Sequence, residues 1–80
     1  MDNTSLSRLE LSVEVLENRY KKIEEGSNPR RLRFDSAISE YSLAYQAYSK
    51  EVGINNWHKL IRISARAEPI LNYIREVLKD

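Results

Sequence analysis

Hydrophobic positions along this chain recur at alternating spacings of three and four. From Phe34 onward, Phe34, Ile38, Tyr41, Tyr45, Tyr48 and Val52 follow at intervals of 4, 3, 4, 3 and 4. That spacing draws a heptad seam along one side of an α-helix. It holds four of the seven aromatic residues, so the flanking stretches read as covers for it. Leu6, Leu9, Val13, Leu16, Tyr20 and Ile23 repeat at 3, 4, 3, 4 and 3 and form a second seam. Trp57, Leu60, Ser64, Ala67, Leu71, Ile74 and Leu78 form a third, with a polar gap at Ser64. Alternating runs of period two are missing, which leaves no basis for strands.

Breakers divide the three seams. Ser7 and Glu10 have the spacing of a capping box, with Leu6 and Leu11 placed as its hydrophobic staple, so helix 1 is predicted over 7–25. Thr4 and Ser5 are rival caps, and residues 1–5 are expected to fray. Gly26-Ser27-Asn28-Pro29 is the first break. Gly26 suits a left-handed C-terminal position, Asn28 can cap, and Pro29 fits a first helical position. Helix 2 is predicted over 29–51, ended by Gly53. Helix 3 is predicted over 56–79, starting at Asn55 or Asn56. Pro69 falls inside it and removes a hydrogen bond to Ala65 at a cost of about 3 kcal/mol. The helix is therefore kinked near Pro69, because Ala67, Leu71 and Leu78 keep the phase; division into two helices is the alternative. The fold class is all-α: one domain over 1–80, an antiparallel, left-handed three-helix bundle.

Apolar residues off the seams alter this picture. Leu11 and Val15 lie off the first, Leu43, Ala44 and Ala47 off the second, and Ile61, Ile63, Ile70 and Val77 off the third. Either the core is wide and a few apolar side chains stay outside, or a second apolar face serves a homodimer or a partner protein. On the second reading the interaction candidates are Leu11, Val15, Leu43, Ala47, Ile63 and Ile70, and the small residues near Leu43 admit another helix.

Composition narrows the chemistry. Eighty residues bury little surface, so the fold needs good packing, a partner or both. Thirteen basic and twelve acidic residues leave a net charge of +1, too little for a global field that attracts nucleic acid. Without cysteine there is no disulfide, thiolate metal site or cysteine nucleophile. No apolar run approaches the roughly 20 residues of a membrane span, and no signal pattern opens the chain, so a soluble cytoplasmic protein is expected. His58, the single histidine, has no local acid or nucleophile to work with and reads as a surface or capping residue. Neither a phosphate loop nor a nucleophile elbow is present. No enzyme activity, cofactor or metal is expected.

Arg30, Arg31 and Arg33 form the one local charge cluster. In the first turn of helix 2 they would oppose the macrodipole. They read either as a solvated turn paired with Glu24, Glu25 or Asp35, or as a grip on phosphates or carboxylates. Arg62, Arg66 and Arg75 would extend the patch if the bundle brought them near. Tyr41, Tyr45 and Tyr48 have the spacing of a base-stacking ladder, but their heptad phase favours a core. Tyr48 to Ile61 has a turn like that of a helix-turn-helix, yet Lys59 and Arg62 stand where that motif needs apolar residues.

Asp35, Ile38, Tyr41, Tyr45 and Gln46, with the helix end at Lys50 to Gly53, lie at spacings similar to those of the helical nucleotidyltransferase substrate-binding proteins, relatives of the HEPN group of toxin–antitoxin pairs. The resemblance covers residues 6–54. The family's tryptophan in helix 2 has no counterpart in phase. The Arg-x(4–6)-His ribonuclease motif is absent too, since no arginine lies four to six residues before His58. The resemblance implies a helical, dimeric binding partner without nuclease activity. The expected function is a small non-enzymatic interaction module: an inhibitor, antitoxin-like protein or adaptor. A nucleic-acid-binding regulator using the arginine cluster is the alternative.

Overall fold

The computed structural model describes residues 4–53 and 56–78. Helix α1 spans Thr4–Glu24, a 3₁₀ turn spans Pro29–Arg31, α2 spans Phe34–Glu51 and α3 spans Trp57–Val77. No strand occurs among the described residues, and the chain is an all-α three-helix bundle, 40 × 20 × 20 Å. Ser5 Oγ donates to Glu51 Oε2 at 2.7 Å, and Arg19 reaches the turn before α2. The start of α1 therefore meets the end of α2, and the two run in opposite directions. Glu17 pairs with Arg66, and the Tyr20 ring meets Tyr73 edge-on at 5.2 Å. Both contacts advance together along the chain, so α1 and α3 run the same way.

Helix α1 buries its seam as the pattern requires. Leu9, Val13 and Leu16 are fully buried, and Leu6, Tyr20 and Ile23 pack against the core half-buried. Burying each of the leucines contributes about 1.5–3 kcal/mol. The N-terminus differs from expectation. The helix begins at Thr4, not Ser7, so Ser7 and Glu10 form no capping box; Ser5 is helical, and residues 1–3 lie outside the described residues. Tertiary contact explains the extra turn: Ser5 is tied to Glu51 and Leu6 packs on the core, and packing outweighs a local cap.

The first break forms as its residues dictate. Gly26 has φ +107°, its N–H donates to the Ile23 carbonyl, and the Ser27 N–H donates to that of Lys22, each at 2.9 Å. This is a Schellman closure. Asn28 Oδ1 accepts from the Arg30 N–H at 3.0 Å, with Pro29 in the first position. The helix so capped lasts only Pro29–Arg31, however, and helix 2 does not run from Pro29. Arg33 turns into the left-handed region at φ 54°, ψ 50°, and α2 starts at Phe34. Residues two apart point to nearly opposite sides of a helix. Leu32 packs on the core and Phe34 is buried within it, and only a break between them lets both turn inward. The left-handed residue costs about 1–2 kcal/mol. Arg19 offsets it: one guanidinium nitrogen, Nη1, donates to the carbonyls of both Leu32 and Arg33.

Helix α2 buries Phe34, Ala37, Tyr41, Ala44 and Tyr48, while Ile38, Tyr45 and Val52 pack half-buried at the core's edge. The tyrosines thus serve the core rather than a stacking ladder. Ala37 and Ala44 are small and buried. Of the small residues near Leu43, Ala44 is taken up by the chain's own core. Helix α2 ends at Glu51 because Val52 is extended at φ −74°, ψ 135°, and Gly53 plays no left-handed part.

Helix α3 is unbroken from Trp57 to Val77 with Pro69 inside, which excludes division into two helices. Asn56 stands at the N-cap position without a side-chain cap bond; Asn55 and the expected end at residue 79 lie outside the described residues. Pro69 and Ala65 are both on the exposed side, where water can hydrate the orphaned carbonyl. The buried face is Leu60, Ile63, Ala67, Ile70 and Ile74. It is turned by one position from the predicted seam, with Ile63 and Ile70 in place of Ser64 and Leu71. The exchange buries two branched apolar side chains and sends a hydroxyl outward, where Ser64 Oγ donates to the Ile61 carbonyl.

Candidate interaction groove

Burial separates the six apolar candidates. Ile63 and Ile70 are only 6% and 5% exposed and belong to the core, so they are not available to a partner. Leu11 (60%), Leu43 (57%) and Val15 (38%) stand out into solvent, and Ala47 is half-buried. Leu11 and Val15 line one feature. A groove of about 300 Å³ runs between α1 and α2, lined by Arg8, Leu11, Ser12, Val15 and Arg19 on one wall and Ser36, Ala37 and Glu40 on the other. Leu43 is three residues on from Glu40 and Ala47 a further turn along, so both extend the α2 wall.

Sequence and packing explain why the groove stays open. Arg8, Leu11, Ser12, Val15 and Arg19 are spaced 3, 1, 3 and 4 apart and form a stripe beside the α1 seam. Its floor consists of short side chains, Ser12 and Ala37, both buried. Ser12 Oγ donates to the Leu9 carbonyl at 2.7 Å, which leaves its polar atom satisfied within α1. The taller Leu11 and Val15 rise beside that floor and find no cover, and Leu43 is exposed a helical turn beyond Glu40. A Leu side chain more than half exposed forfeits much of the roughly 2 kcal/mol that burial would contribute. Single exposed apolar residues are ordinary; two in one groove with a third a turn beyond its wall constitute a face.

The electrostatics are mixed. Arg8 and Glu40 approach across the groove at 4.0 Å, with side chains 54% and 67% exposed. Such a pair contributes little to stability. Arg19, at the far end, is held by the Leu32 and Arg33 carbonyls. Reading the apolar pattern alone misses Arg8, Arg19 and Glu40; the i, i+3, i+7, i+11 placement of Arg8, Leu11, Val15 and Arg19 is the signal that finds the α1 wall.

The arginine candidates fall elsewhere. Arg30 and Arg31 are in the 3₁₀ turn and Arg33 is the left-handed residue before α2; all three are exposed. None lies in the first turn of α2, so the expected opposition to its macrodipole is confined to Arg33 at the N-cap. Arg30 and Arg33 border a small cleft with Pro29, Phe34, Asp35 and Leu78. Arg66 does not extend this patch: it forms a two-point ion pair with Glu17, at 2.7 and 3.1 Å. Arg62 lies with Leu6, Glu10 and Lys59, toward the start of α1 and away from Arg30. Arg75 donates to Asn72 Oδ1 at 3.3 Å.

Between α2 and α3, Tyr41, Ser42, Tyr45, Gln46, Ser64, Glu68 and Leu71 line a second groove. Burial, then Tyr45 and Glu68, push the Tyr41 hydroxyl up to about 12. Trp57 and Ile61 are 46% and 56% exposed near the start of α3, and His58 beside them is exposed. Among the described residues no group of three or more His, Cys, Asp or Glu side chains is placed to hold a metal ion. No helix among them is long and apolar enough to cross a membrane. No family model, curated protein or solved structure matches the chain.

Proposed function

We propose that this chain is a small, non-enzymatic protein-interaction module that docks a helical partner in the groove between α1 and α2. The observation that carries the reading is the pair of exposed residues Leu11 and Val15 lining one groove with a floor of short side chains, with exposed Leu43 one helical turn beyond Glu40 of its other wall. An amphipathic helix laid into such a groove anchors through residues spaced i, i+3 and i+7. An inhibitor, antitoxin-like or adaptor role in the cytoplasm fits the size. The resemblance over residues 6–54 to helical substrate-binding partners of nucleotidyltransferases points the same way.

The exposure of Arg30, Arg31 and Arg33 together at one turn favours a second reading, a nucleic-acid-binding regulator. One experiment separates the two. Tagged wild type, Leu43→Glu and an Arg30→Ala/Arg31→Ala double variant are purified in parallel, and bound proteins and nucleic acids are quantified. Docking in the groove predicts a stoichiometric protein partner that Leu43→Glu releases and the arginine variant retains. Nucleic acid lost with the arginine variant, and with affinity falling steeply as salt rises, reverses the order. A partner held equally by all three refutes both.

A further inference from the structure

Building on the docking reading above, we propose that the occupant of the α1–α2 groove is a second copy of this chain, packed face to face about a two-fold axis running along the rod. A two-fold interface demands that one patch supply both halves of every contact, and this patch does. At one level of the bundle the α1 wall carries a cation, Arg8, and the α2 wall an anion, Glu40. They meet only at 4.0 Å and both are more than half exposed, so each can pair outward. A two-fold along the rod exchanges the walls and keeps the rod's direction. Each α1 then lies antiparallel over the partner's α2. Arg8 meets the partner's Glu40, and Glu40 meets the partner's Arg8. A two-fold set across the rod at that level would instead oppose Arg8 to Arg8 and Glu40 to Glu40.

The apolar residues follow the same operation. Leu11 and Val15 of α1 come over the middle of the partner's α2, about Glu40 to Leu43, because the start of α1 lies level with the end of α2 and Arg19 with the turn before it; Leu11 then meets the partner's Leu43. The four helices α1, α2 and their symmetry mates make a second, shared layer of packing outside the core. The area is adequate. One face of the rod, 40 Å by 20 Å, is of the order of the ~800 Å² per partner that stable complexes bury. An 80-residue bundle gains most from such cover, because its own core is small.

The test is sedimentation equilibrium of the full chain over a wide concentration range. The wild type is expected at twice its monomer mass. Arg8→Glu alone opposes two carboxylates across the interface, and Glu40→Arg alone opposes two cations. Each is expected to raise the dimer dissociation constant about tenfold or more. An equimolar mixture of the two single variants is expected to form a mixed dimer, since each contact again joins opposite charges. Rescue on mixing cannot come from variants that merely unfold, and circular dichroism of each alone checks the helix content. A wild type that stays monomeric, a dimer indifferent to both reversals, or a mixture no tighter than its components overturns the two-fold assembly. If the wild type is monomeric yet Leu43→Glu releases a different bound protein, the groove stands as a docking site and only the self-pairing falls.

Discussion

Replacing Arg19 by alanine tests the least anticipated feature of the fold. The Arg19 guanidinium holds the carbonyls of Leu32 and Arg33, the two residues at which the chain breaks between the 3₁₀ turn and α2. A hydrogen bond from a charged donor contributes about 1.5–3 kcal/mol where water is excluded. Here one bond is part-buried and the other exposed, so the pair together contributes about 1–2 kcal/mol after solvent screening. That is the size of the left-handed penalty at Arg33, about 1–2 kcal/mol. Arg19→Ala should therefore lower stability by about 1–2 kcal/mol, a fall of roughly 5–15 °C in Tm for a domain of this length. Thermal unfolding followed by far-ultraviolet circular dichroism at fixed concentration gives the shift. Arg62→Ala, an exposed arginine on α3, is the control and should stay within about 0.5 kcal/mol of wild type. Equal losses in the two variants would show that Arg19 does not support the turn.

Three further outcomes follow from burial. Ile63→Ala should cost about 2–5 kcal/mol, as a cavity in the core does, whereas Leu43→Ala should cost well under that in the monomer; denaturant titration compares them. Pro69→Ala should stabilise α3 by about 1–3 kcal/mol, by restoring the hydrogen bond to Ala65, and a rise in Tm checks it. The Tyr41 hydroxyl, pushed up from 10.0 to about 12 mainly by burial, resists ionisation in the folded state. Its contribution is fully present below pH 10 and is lost as pH rises toward about 12. Denaturation midpoints should fall across that window in wild type and fall less steeply in Tyr41→Phe.

The chain's own pattern makes much of this structure legible, and the shortfalls have physical causes. Gly26 and Asn28 announce a helix closure and a cap because their local chemistry needs no tertiary partner, and both form. Arg33 carries no such mark. Its left-handed turn arises from the need to turn half-buried Leu32 and buried Phe34 both toward the core, and its support, Arg19, lies on another helix. In α3 two registers one position apart both satisfy a heptad. The choice of Ile63 and Ile70 over Ser64 and Leu71 is decided by which side chains the other helices cover. The same choice removes both isoleucines from the interaction candidates. Leu11, Val15 and Leu43 were legible as apolar positions without a seam. That Leu11 and Val15 line one groove, with Arg8 and Glu40 across it and Leu43 a turn beyond, depends on the antiparallel placement of α1 and α2, which only the assembled bundle reveals.

The most direct measurement is site-specific photo-crosslinking from the groove. A photoreactive side chain replaces Leu11 or Leu43 in turn, with exposed His58 as the control position, and adducts formed in cells are identified by mass spectrometry. Docking along α1 and α2 predicts one dominant protein adduct common to positions 11 and 43 and absent from 58, with crosslinks to α1 and α2 of a second copy if the two-fold pairing holds. Adducts at position 58 alone, or none at either groove position, would contradict the claim that this face is where the protein meets its partner.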